Sequence, residues 1–339
     1  MVRMTVTKHV DLLVYKENLK LISELVRPAK VMAVIKADAY GHGLIEIAKA
    51  AEELGVDSLG VLDIETGLKI RKAGVKTPAF AWLHSPESNF SAAVKSGIEL
   101  SVSSLAELKS ISTVPGRAKV HLKIDTGLSR NGCRAEDWYE LVSEARSLED
   151  SGSIDLVAIW SHLSGTSQHD DEIAIGKFED AHKIAVELGF KGYRHIASSP
   201  AAFNLHKSRY ELVRIGVSAF GTSPVEGKPA SDLGLKIPMR LTAEVLAPEV
   251  ISIGFLHGYF SQLAGKAQVS ISGKLYPVNK VGPLASSIGP GDYNPGDEVL
   301  IFGTESDLAP TAEDLCELVS TVTDELFTGL KPNLTSYSS

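Results

Sequence analysis

Lys36 stands at a place in the sequence where a charged side chain is unfavourable. It follows the apolar run 31–35, which has the length of a buried strand, and precedes a turn rich in glycine and histidine. An ammonium group at such a place is costly unless it is paired or neutralised. Condensation of the amine with an aldehyde neutralises it, and pyridoxal phosphate (PLP) is the cofactor that uses this reaction. Tyr40 could then present its hydroxyl to the phosphate; the alternative is an ordinary surface lysine at a strand end.

Residues that could bind a ligand or do chemistry also lie at or just after the ends of four later apolar runs. They are Lys123 with Asp125 and Arg130, His162, His195 with Ser198 and Ser199, and Arg214 with the backbone of Gly216 and Val217. Taken one at a time, they have structural interpretations as core histidines, ion-paired cations and a helix N-terminus. Their shared place, directly after a strand-like run, indicates a common site.

Between residues 10 and 225, apolar runs of strand length alternate with amphipathic helical patterns. Eight runs are predicted as strands: 31–35, 58–62, 78–83, 98–101, 118–124, 156–161, 194–197 and 212–217. Helical patterns cover 12–25, 44–54, 63–73, 87–95, 135–148 and 172–188. This α/β alternation predicts a parallel sheet, and eight units favour a closed (β/α)8 TIM barrel over an open doubly wound sheet. Functional groups collect at the C-terminal strand ends of such a barrel, so the polar residues are expected at one mouth.

The alternation stops after residue 225. Gly227, Lys228 and Pro229 indicate a linker. Strand patterns over 235–248, 266–272, 274–281 and 298–302, with a helical pattern over 311–321, predict a smaller, mostly β C-terminal domain. The predicted domains are therefore a barrel over residues 10–225 and a β-rich domain over residues 226–339. Residues 1–9 are candidates for pairing with the second domain.

Composition excludes several classes of function. The formal net charge of −8 argues against a nucleic-acid or anionic-membrane partner and fits a protein that binds small molecules. Cys133 and Cys316 are too few for a disulfide framework and lack metal-ligand spacing, so we expect a reducing compartment and no metal site. Charges interrupt the apolar runs of the first 30 residues, and no segment approaches the roughly 18 apolar residues of a membrane span. These features predict a soluble, cytoplasmic protein.

The sequence around Lys36 resembles the signature of a known enzyme family. The run Val34-Ile-Lys36-Ala-Asp38-Ala-Tyr40-Gly-His42-Gly43 is similar to the PLP-lysine motif of the alanine racemases, and the similarity continues over nearly all of residues 10–225. The resemblance implies a PLP-dependent isomerase that interconverts L- and D-alanine, the D form being used for cell-wall peptidoglycan. It also implies a homodimer in which the β domain of one chain covers the barrel mouth of the other.

By the same resemblance, one group of residues would hold the reactive end and the phosphate of PLP. Lys36 would bond covalently to the cofactor and serve as a catalytic base. Tyr40, Ser199 and the backbone of Gly216 and Val217 would bind the phosphate. Backbone amides and a helix N-terminus suit such an anion.

A second group would surround the pyridine ring. His162 would lie beside it, Arg130 would face its 3′-oxygen with Lys123 beneath, and Arg214 would meet its nitrogen. Because a guanidinium group stays protonated, the ring nitrogen would have to accept a hydrogen bond and remain unprotonated. An unprotonated ring is a weaker electron sink, which limits the other reactions that PLP supports.

The second domain departs from the family's pattern. Phe255 occupies the position of the tyrosine that serves the family as second catalytic base, and phenylalanine cannot transfer a proton. His257 or Tyr259 are possible replacement bases. Pro283 and Leu284 stand where the family has a methionine and an aspartate that meet the substrate from the partner chain, and a segment before Phe255 is missing. These changes predict slow racemisation and a dimer that is weaker than is usual for the family or differently arranged.

Two other functions remain open on the sequence. One is a catalytically impaired PLP-binding paralogue that handles the cofactor or binds a partner. The other is a different PLP-dependent reaction of amino acids, such as decarboxylation or transamination. Arg214 opposite the ring nitrogen argues against the second of these.

Overall fold

Two eight-stranded sheets organise the chain. The computed structural model describes residues 5–304 and 307–339. Strand β1 (Thr7–Asp11) belongs to the second sheet, although the whole first sheet follows it in the sequence. The chain therefore builds its barrel between the first strand of the second sheet and the rest of that sheet.

The first sheet is parallel throughout and closes into a barrel. Its strands are β2 (Lys30–Val34), β3 (Ser58–Val61), β4 (Ala79–Ala81), β5 (Ile98–Val102), β6 (Ala118–Lys123), β7 (Ile154–Trp160), β8 (Tyr193–His195) and β9 (Leu212–Ile215). They pair in the order β8-β7-β6-β5-β4-β3-β2-β9. The backbone N–H of Arg214 on β9 donates to the carbonyl of Ala197, just beyond β8 (3.0 Å). The predicted (β/α)8 barrel is confirmed.

Helices alternate with these strands. They are α1 (Leu12–Val26), the left-handed segment α2 (Lys36–Tyr40), α3 (Leu44–Leu54), α4 (Ile64–Lys72), α5 (Phe90–Lys95), α6 (Leu105–Ser112), α7 (Ala135–Asp150), α8 (Gln168–Glu187) and α9 (Ser199–Asn204). Asp11, Asp63 and Ser104 accept hydrogen bonds from first-turn N–H groups of α1, α4 and α6, and such caps define helix starts locally. Across residues 5–304 and 307–339, none of the helices combines the length and apolarity needed to cross a membrane.

The second sheet is mostly antiparallel. Its further elements are β10 (Met239–Ala247), β11 (Val250–Ile251), β12 (Gln268–Ile271), β13 (Lys274–Val281), β14 (Ser286–Ile288), β15 (Glu298–Phe302), α10 (Ala312–Leu318), α11 (Thr323–Gly329) and β16 (Leu334–Ser338). The strand order is β11-β14-β13-β12-β15-β10-β1-β16. A β-rich C-terminal domain thus follows the barrel, as the sequence predicted.

Strand β1 links the two halves of the molecule. It pairs antiparallel with β10 and parallel with β16. Val6 packs into the core of the second sheet, whereas Val10 packs into the barrel core. Of the residues 1–9 considered for pairing with the second domain, residues 1–4 lie outside the described residues.

The last barrel strand ends two residues earlier than its apolar pattern indicates. The run 212–217 predicts a strand, but β9 stops at Ile215. Gly216 leaves the strand with φ −106° and ψ −112°, and Val217–Phe220 forms a 3₁₀ turn. The chain thereby presents backbone rather than a further side chain at the barrel mouth.

Candidate functional site

The C-terminal ends of the barrel strands surround a cavity of about 580 Å³. Every barrel residue proposed to hold the cofactor lines it: Lys36, Tyr40, Lys123, Arg130, His162, Ser199, Arg214, Gly216 and Val217. Asp125 and His195, which the sequence placed at the same strand ends, do not line it. Four of these side chains are cationic, and none of the described lining residues is acidic. Trp82, Leu83 and Leu62 form an apolar part of the wall. The cavity therefore suits an anionic ligand that has a flat apolar portion.

A left-handed turn places Tyr40 at the cavity. Residues 37–40 have φ values between 51° and 54°. Each residue in this conformation costs about 1–2 kcal/mol in a chain of L-amino acids, so surrounding contacts must hold it. Asp38 supplies one of them, since its Oδ1 accepts the N–H of Leu44 (2.8 Å). The turn brings the Tyr40 ring to 5.4 Å from Lys36 Nζ.

Tyr40, Ser199 and Gly216 converge at one end of the cavity. The N–H of Gly216 donates to Ser199 Oγ (3.2 Å). A Cβ atom added at Gly216 would overlap Tyr40 Oη, so the absent side chain lets the phenol approach the backbone. Burial raises the pKa of Tyr40, which keeps the phenol protonated and able to donate. Hydroxyl and amide groups gathered in this way suit a phosphate.

Arg214 is buried on β9 and makes four hydrogen bonds. Nη2 contacts the carbonyls of Ser161 (2.9 Å) and Ile196 (3.0 Å) and Nδ1 of His162 (2.9 Å). Nη1 contacts Nδ1 of His195 (3.1 Å). Burial lowers the pKa of Arg214 to about 9, which leaves the guanidinium protonated at neutral pH. Within the described part of the chain, these contacts leave the Nε–H without a protein acceptor.

His162 is a neutral side chain among cations. Burial, followed by the charges of Arg214 and Arg130, lowers its pKa to about 3. Because Arg214 can only donate, Nδ1 of His162 must be the acceptor and Nε2 must carry the proton. The ring can therefore lie beside a ligand without adding a fifth positive charge.

A chain of buried side chains extends from Arg214 across the barrel interior. His195 Nε2 contacts Nδ1 of His121 (3.0 Å), and His121 Nε2 contacts Glu99 Oε2 (3.0 Å). Arg214 donates at one end and the Glu99 carboxylate accepts at the other, so both imidazoles must be protonated on Nε2 when neutral. Burial, with the charge of Arg214, holds the pKa of His195 well below its usual value.

Sequence reasoning singled out neither Glu99 nor His121 as a site residue. A signal was present, because Glu99 is a charged residue inside a predicted buried strand. His121 lies 22 residues from Glu99 in the chain and His195 a further 74 from His121, and no local pattern connects them. The relay holds Arg214 in place and connects a buried cation to a buried carboxylate through two imidazole rings.

Lys123 lies at the end of β6, with its Nζ 4.5 Å from the ring centre of Trp160. Burial, together with the charges of Arg214 and Arg130, lowers the pKa of Lys123 to about 8. A substantial neutral fraction is therefore present near pH 8. The lysine is chemically different from the exposed lysines of the surface.

The loop around Phe255 in the second domain is largely apolar. The N–H groups of Phe255 and Leu256 donate to the carbonyls of Gly282 and Pro283 (both 2.9 Å), so the two departures from the family pattern adjoin each other. Phe255, Leu256 and Leu284 are exposed. None of them lines the cavity of its own chain.

The two candidate replacement bases lie inside the second domain. His257 is buried, and its Nδ1 accepts the N–H of Gly254 (3.2 Å). Tyr259 is buried in the core of the second sheet, and burial raises its pKa. Neither ring lines the cavity of its own chain. A role for either residue as a base remains a prediction.

Two family models match the chain. The model described as "Alanine racemase, N-terminal domain" matches residues 10–224, and the model described as "Alanine racemase, C-terminal domain" matches residues 242–337. The chain belongs to the alanine racemase family. The segment that holds Phe255 therefore lies in a domain that retains the family's overall pattern.

Relatives and solved structures extend over almost the whole chain. An alanine racemase of Mycolicibacterium vanbaalenii is 31% identical over 360 residues, which cover 95% of this chain and 91% of the relative. One of Mycolicibacterium smegmatis is 32% identical over 364 residues, which cover 96% of this chain and 92% of the relative.

Among solved structures, the alanine racemase from D-cycloserine-producing Streptomyces lavendulae has a TM-score of 0.94 at 27% identity, covering 100% of this chain and 98% of that one. The alanine racemase of Corynebacterium glutamicum has a TM-score of 0.91 at 27% identity, covering 99% of this chain and all of that one. Both domains of this alanine racemase family member thus have the family fold.

Proposed function

We propose that this protein is a PLP-dependent alanine racemase, an isomerase that interconverts L- and D-alanine. The observation that carries the proposal is the barrel-mouth cavity, where Lys36 and three other cations meet the hydroxyl groups of Tyr40 and Ser199, and none of the described lining residues is acidic. The relatives supply the reaction, because they are alanine racemases at 31–32% identity over nearly the full chain.

The donors of the cavity fit PLP. The hydroxyls of Tyr40 and Ser199 and the backbone of Gly216 and Val217 would hold the phosphate, an assignment supported by their convergence at one end of the cavity. When bound, PLP supplies an aldehyde that takes up the amino group of the substrate and a conjugated ring that draws electrons from its Cα atom. Trp82 provides an apolar surface in the same cavity.

The remaining cavity residues would orient the ring. The Nε–H of Arg214, which has no protein acceptor among the described residues, would donate to the ring nitrogen, and contacts with His162 and His195 hold the guanidinium in place. Arg130 would face the 3′-oxygen, with Lys123 supporting it. Because Arg214 keeps its proton at neutral pH, it favours the unprotonated ring and restricts the reactions available at the site.

Lys36 would carry the covalent bond to the cofactor and move the proton at Cα on one face. Inversion also needs a group on the opposite face, and Phe255 of the partner chain supplies none. Loss of a general base typically lowers a rate by ~10²–10⁴. We therefore propose that removal of the α-proton is faster than inversion, with His257 and Tyr259 as candidates for the second base.

We further propose that the protein acts as a cytoplasmic homodimer in which the loop around Phe255 meets the barrel mouth of the partner. Phe255, Leu256 and Leu284 are 47%, 55% and 46% exposed, and backbone hydrogen bonds join residues 255 and 256 to residues 282 and 283. The proline and leucine in place of polar contacts should weaken this dimer. Cys133 and Cys316 are free thiols, which fits a reducing compartment.

The alternatives of a non-catalytic PLP-binding paralogue and of a different PLP reaction are not favoured by the comparisons. The matched relatives are alanine racemases over both domains. The protonated guanidinium of Arg214 also disfavours reactions that need a protonated ring.

The direct test combines turnover with labelling. Purified protein loaded with PLP is incubated with L-alanine, and the D/L ratio is followed; slow conversion is expected. Borohydride reduction followed by peptide mapping should place the cofactor on Lys36. A label on another residue, or no conversion after prolonged incubation, would count against the proposal.

A further inference from the structure

The left-handed turn of residues 37–40 connects Lys36 to Tyr40, and these two residues would contact opposite ends of the cofactor. Four consecutive non-glycine residues with positive φ persist only where neighbouring groups hold them. The turn itself provides some support, since the N–H of Gly41 donates to the Ala37 carbonyl (2.9 Å) and the N–H of Gly43 to the Asp38 carbonyl (3.0 Å).

Two elements of the β domain pack closely against the residues that follow this turn. A Cβ atom added at Gly41 would overlap the carbonyl of Phe327 on α11. One added at Gly43 would overlap the hydroxyl of Tyr337 on β16. The turn is therefore packed against the second domain of the same chain as closely as glycine permits.

Lys8 on β1 is the charged member of this contact. Val6, Lys8 and Val10 form one buried face of the strand. An apolar residue would be expected at position 8, because the positions on either side of it on this face are apolar. Val6 and Val10 pack into the two separate cores, so Lys8 lies where those cores meet. Its side chain is 6% exposed, and its Nζ donates to the carbonyl of Gly41.

We propose that Lys8 is a positioning residue for the cofactor, because its ammonium group holds the left-handed turn that carries Tyr40. The proposal deepens the PLP-dependent function proposed above and rests on it. An apolar side chain would pack equally well between Val6 and Val10, but it would leave the Gly41 carbonyl without its donor. The negative charge of Asp38 on the same turn adds an electrostatic attraction to Lys8.

The test uses the full-length Lys8→Met variant, because methionine matches the length and the apolar surroundings of the lysine stem. Amide hydrogen exchange is measured on cofactor-free protein. We expect the amides of Gly41 and Gly43 to exchange about tenfold faster or more, while global unfolding in urea changes little. Lys16→Met is the matched control, because Lys16 forms a surface ion pair with Glu53 (3.4 Å) and its loss should leave the turn unchanged.

A second readout is spectroscopic. The ³¹P resonance of bound PLP should shift in Lys8→Met, and the dissociation constant for PLP should rise by about tenfold, because the Tyr40 hydroxyl moves relative to the phosphate. Lys8→Gln, which is too short to reach Gly41, should give the same localised change and serves if the methionine variant does not fold.

Unchanged exchange at the turn, or a uniform loss of protection throughout the protein, would overturn the role of Lys8 even in an active racemase. Failure of the unmodified protein to bind PLP would instead overturn the proposed function. In that case the exchange result would still decide whether Lys8 holds the turn.

Discussion

The barrel mouth and the loop around Phe255 are two parts of one expected active site, and they differ in chemical character. At the barrel mouth, four cations and the hydroxyls of Tyr40 and Ser199 surround one cavity, and buried hydrogen bonds hold Arg214 among them. The Phe255 loop offers exposed apolar side chains, and the ionisable rings near it are buried in their own domain. Under the proposed function, the barrel would bind the cofactor and supply one proton-transfer group, whereas Phe255 in the β domain would supply none.

Removal of Lys36 is the most severe test of the barrel half. Lys36→Ala should lower racemisation by at least ~10⁴, since it deletes both the covalent anchor and a general base. The D/L ratio of alanine measures the loss, and circular dichroism checks the fold. Lys20→Ala, on the exposed face of α1, is the control and should retain full activity. Substantial inversion by Lys36→Ala would show that the barrel half is not the catalytic part.

The Phe255 half is tested by separating proton removal from inversion. In deuterium oxide, the unmodified protein should incorporate deuterium at Cα with retained configuration ~10²–10⁴ times faster than it inverts alanine. One positioned base suffices for exchange with retention. Phe255→Tyr should restore little inversion, because a displacement of ~1 Å can cost ~10²-fold in rate. Equal rates of exchange and inversion would mean that a second base is present, with His257 and Tyr259 the first to examine.

Glu99→Gln probes how the barrel half holds Arg214 from a distance. The amide can still accept from His121, so the tautomers persist while the charge is lost. We expect a loss of activity of about tenfold. Glu53→Gln, which removes the exposed ion pair with Lys16, is the control and should leave the activity unchanged. Equal activity of the two variants would show that the relay does not support Arg214.

The lowered pKa of Glu99 predicts that the free energy of unfolding depends on pH, and Glu99→Gln tests this prediction. Burial raises the pKa of Glu99, but the hydrogen bond and charge of His121 and the charge of Lys119 outweigh it, so the folded-state pKa is lowered overall. A carboxyl group with a lowered folded-state pKa stabilises the fold at pH values above its unfolded-state pKa of about 4.3. This stabilisation is lost as the pH falls through the folded-state pKa. The difference in free energy of unfolding between the unmodified protein and Glu99→Gln should therefore shrink below about pH 4. A difference that grew in acid would contradict this sign.

The smallest effect concerns Lys123. With a pKa of about 8, its neutral amine can add to carbon dioxide near pH 8, and Arg130 and Arg214 would stabilise the anionic carbamate. Protein in ¹³C-bicarbonate should therefore show a carbamate resonance that Lys123→Gln lacks. A spectrum identical in both proteins would show that the cations of the barrel mouth act without this modification.

Much of the barrel site was predictable, because its residues follow strands. An apolar run followed by Lys36, or by Lys123 and His162 in later units, predicts both the strand and the side of the barrel where it ends. The parallel order of the strands then brings those ends together. The loop around Phe255 was located by its resemblance to the family's pattern. The burial of His257 and Tyr259 could not be predicted, because it depends on how the β domain packs.

Local pattern therefore determined the alternating architecture and the strand-end positions of the polar residues, since each depends on residues near in sequence. The departure at Phe255 came from the resemblance to the family. Tertiary structure decided the left-handed turn of residues 37–40, the hydrogen-bonded relay from Glu99 to Arg214, and the placement of Lys8 against Gly41. These features join residues 19 to 74 positions apart or hold the backbone in a conformation that its own residues disfavour. Such contacts arise only when the chain is folded, because burial and neighbouring elements supply the free energy that the local sequence does not.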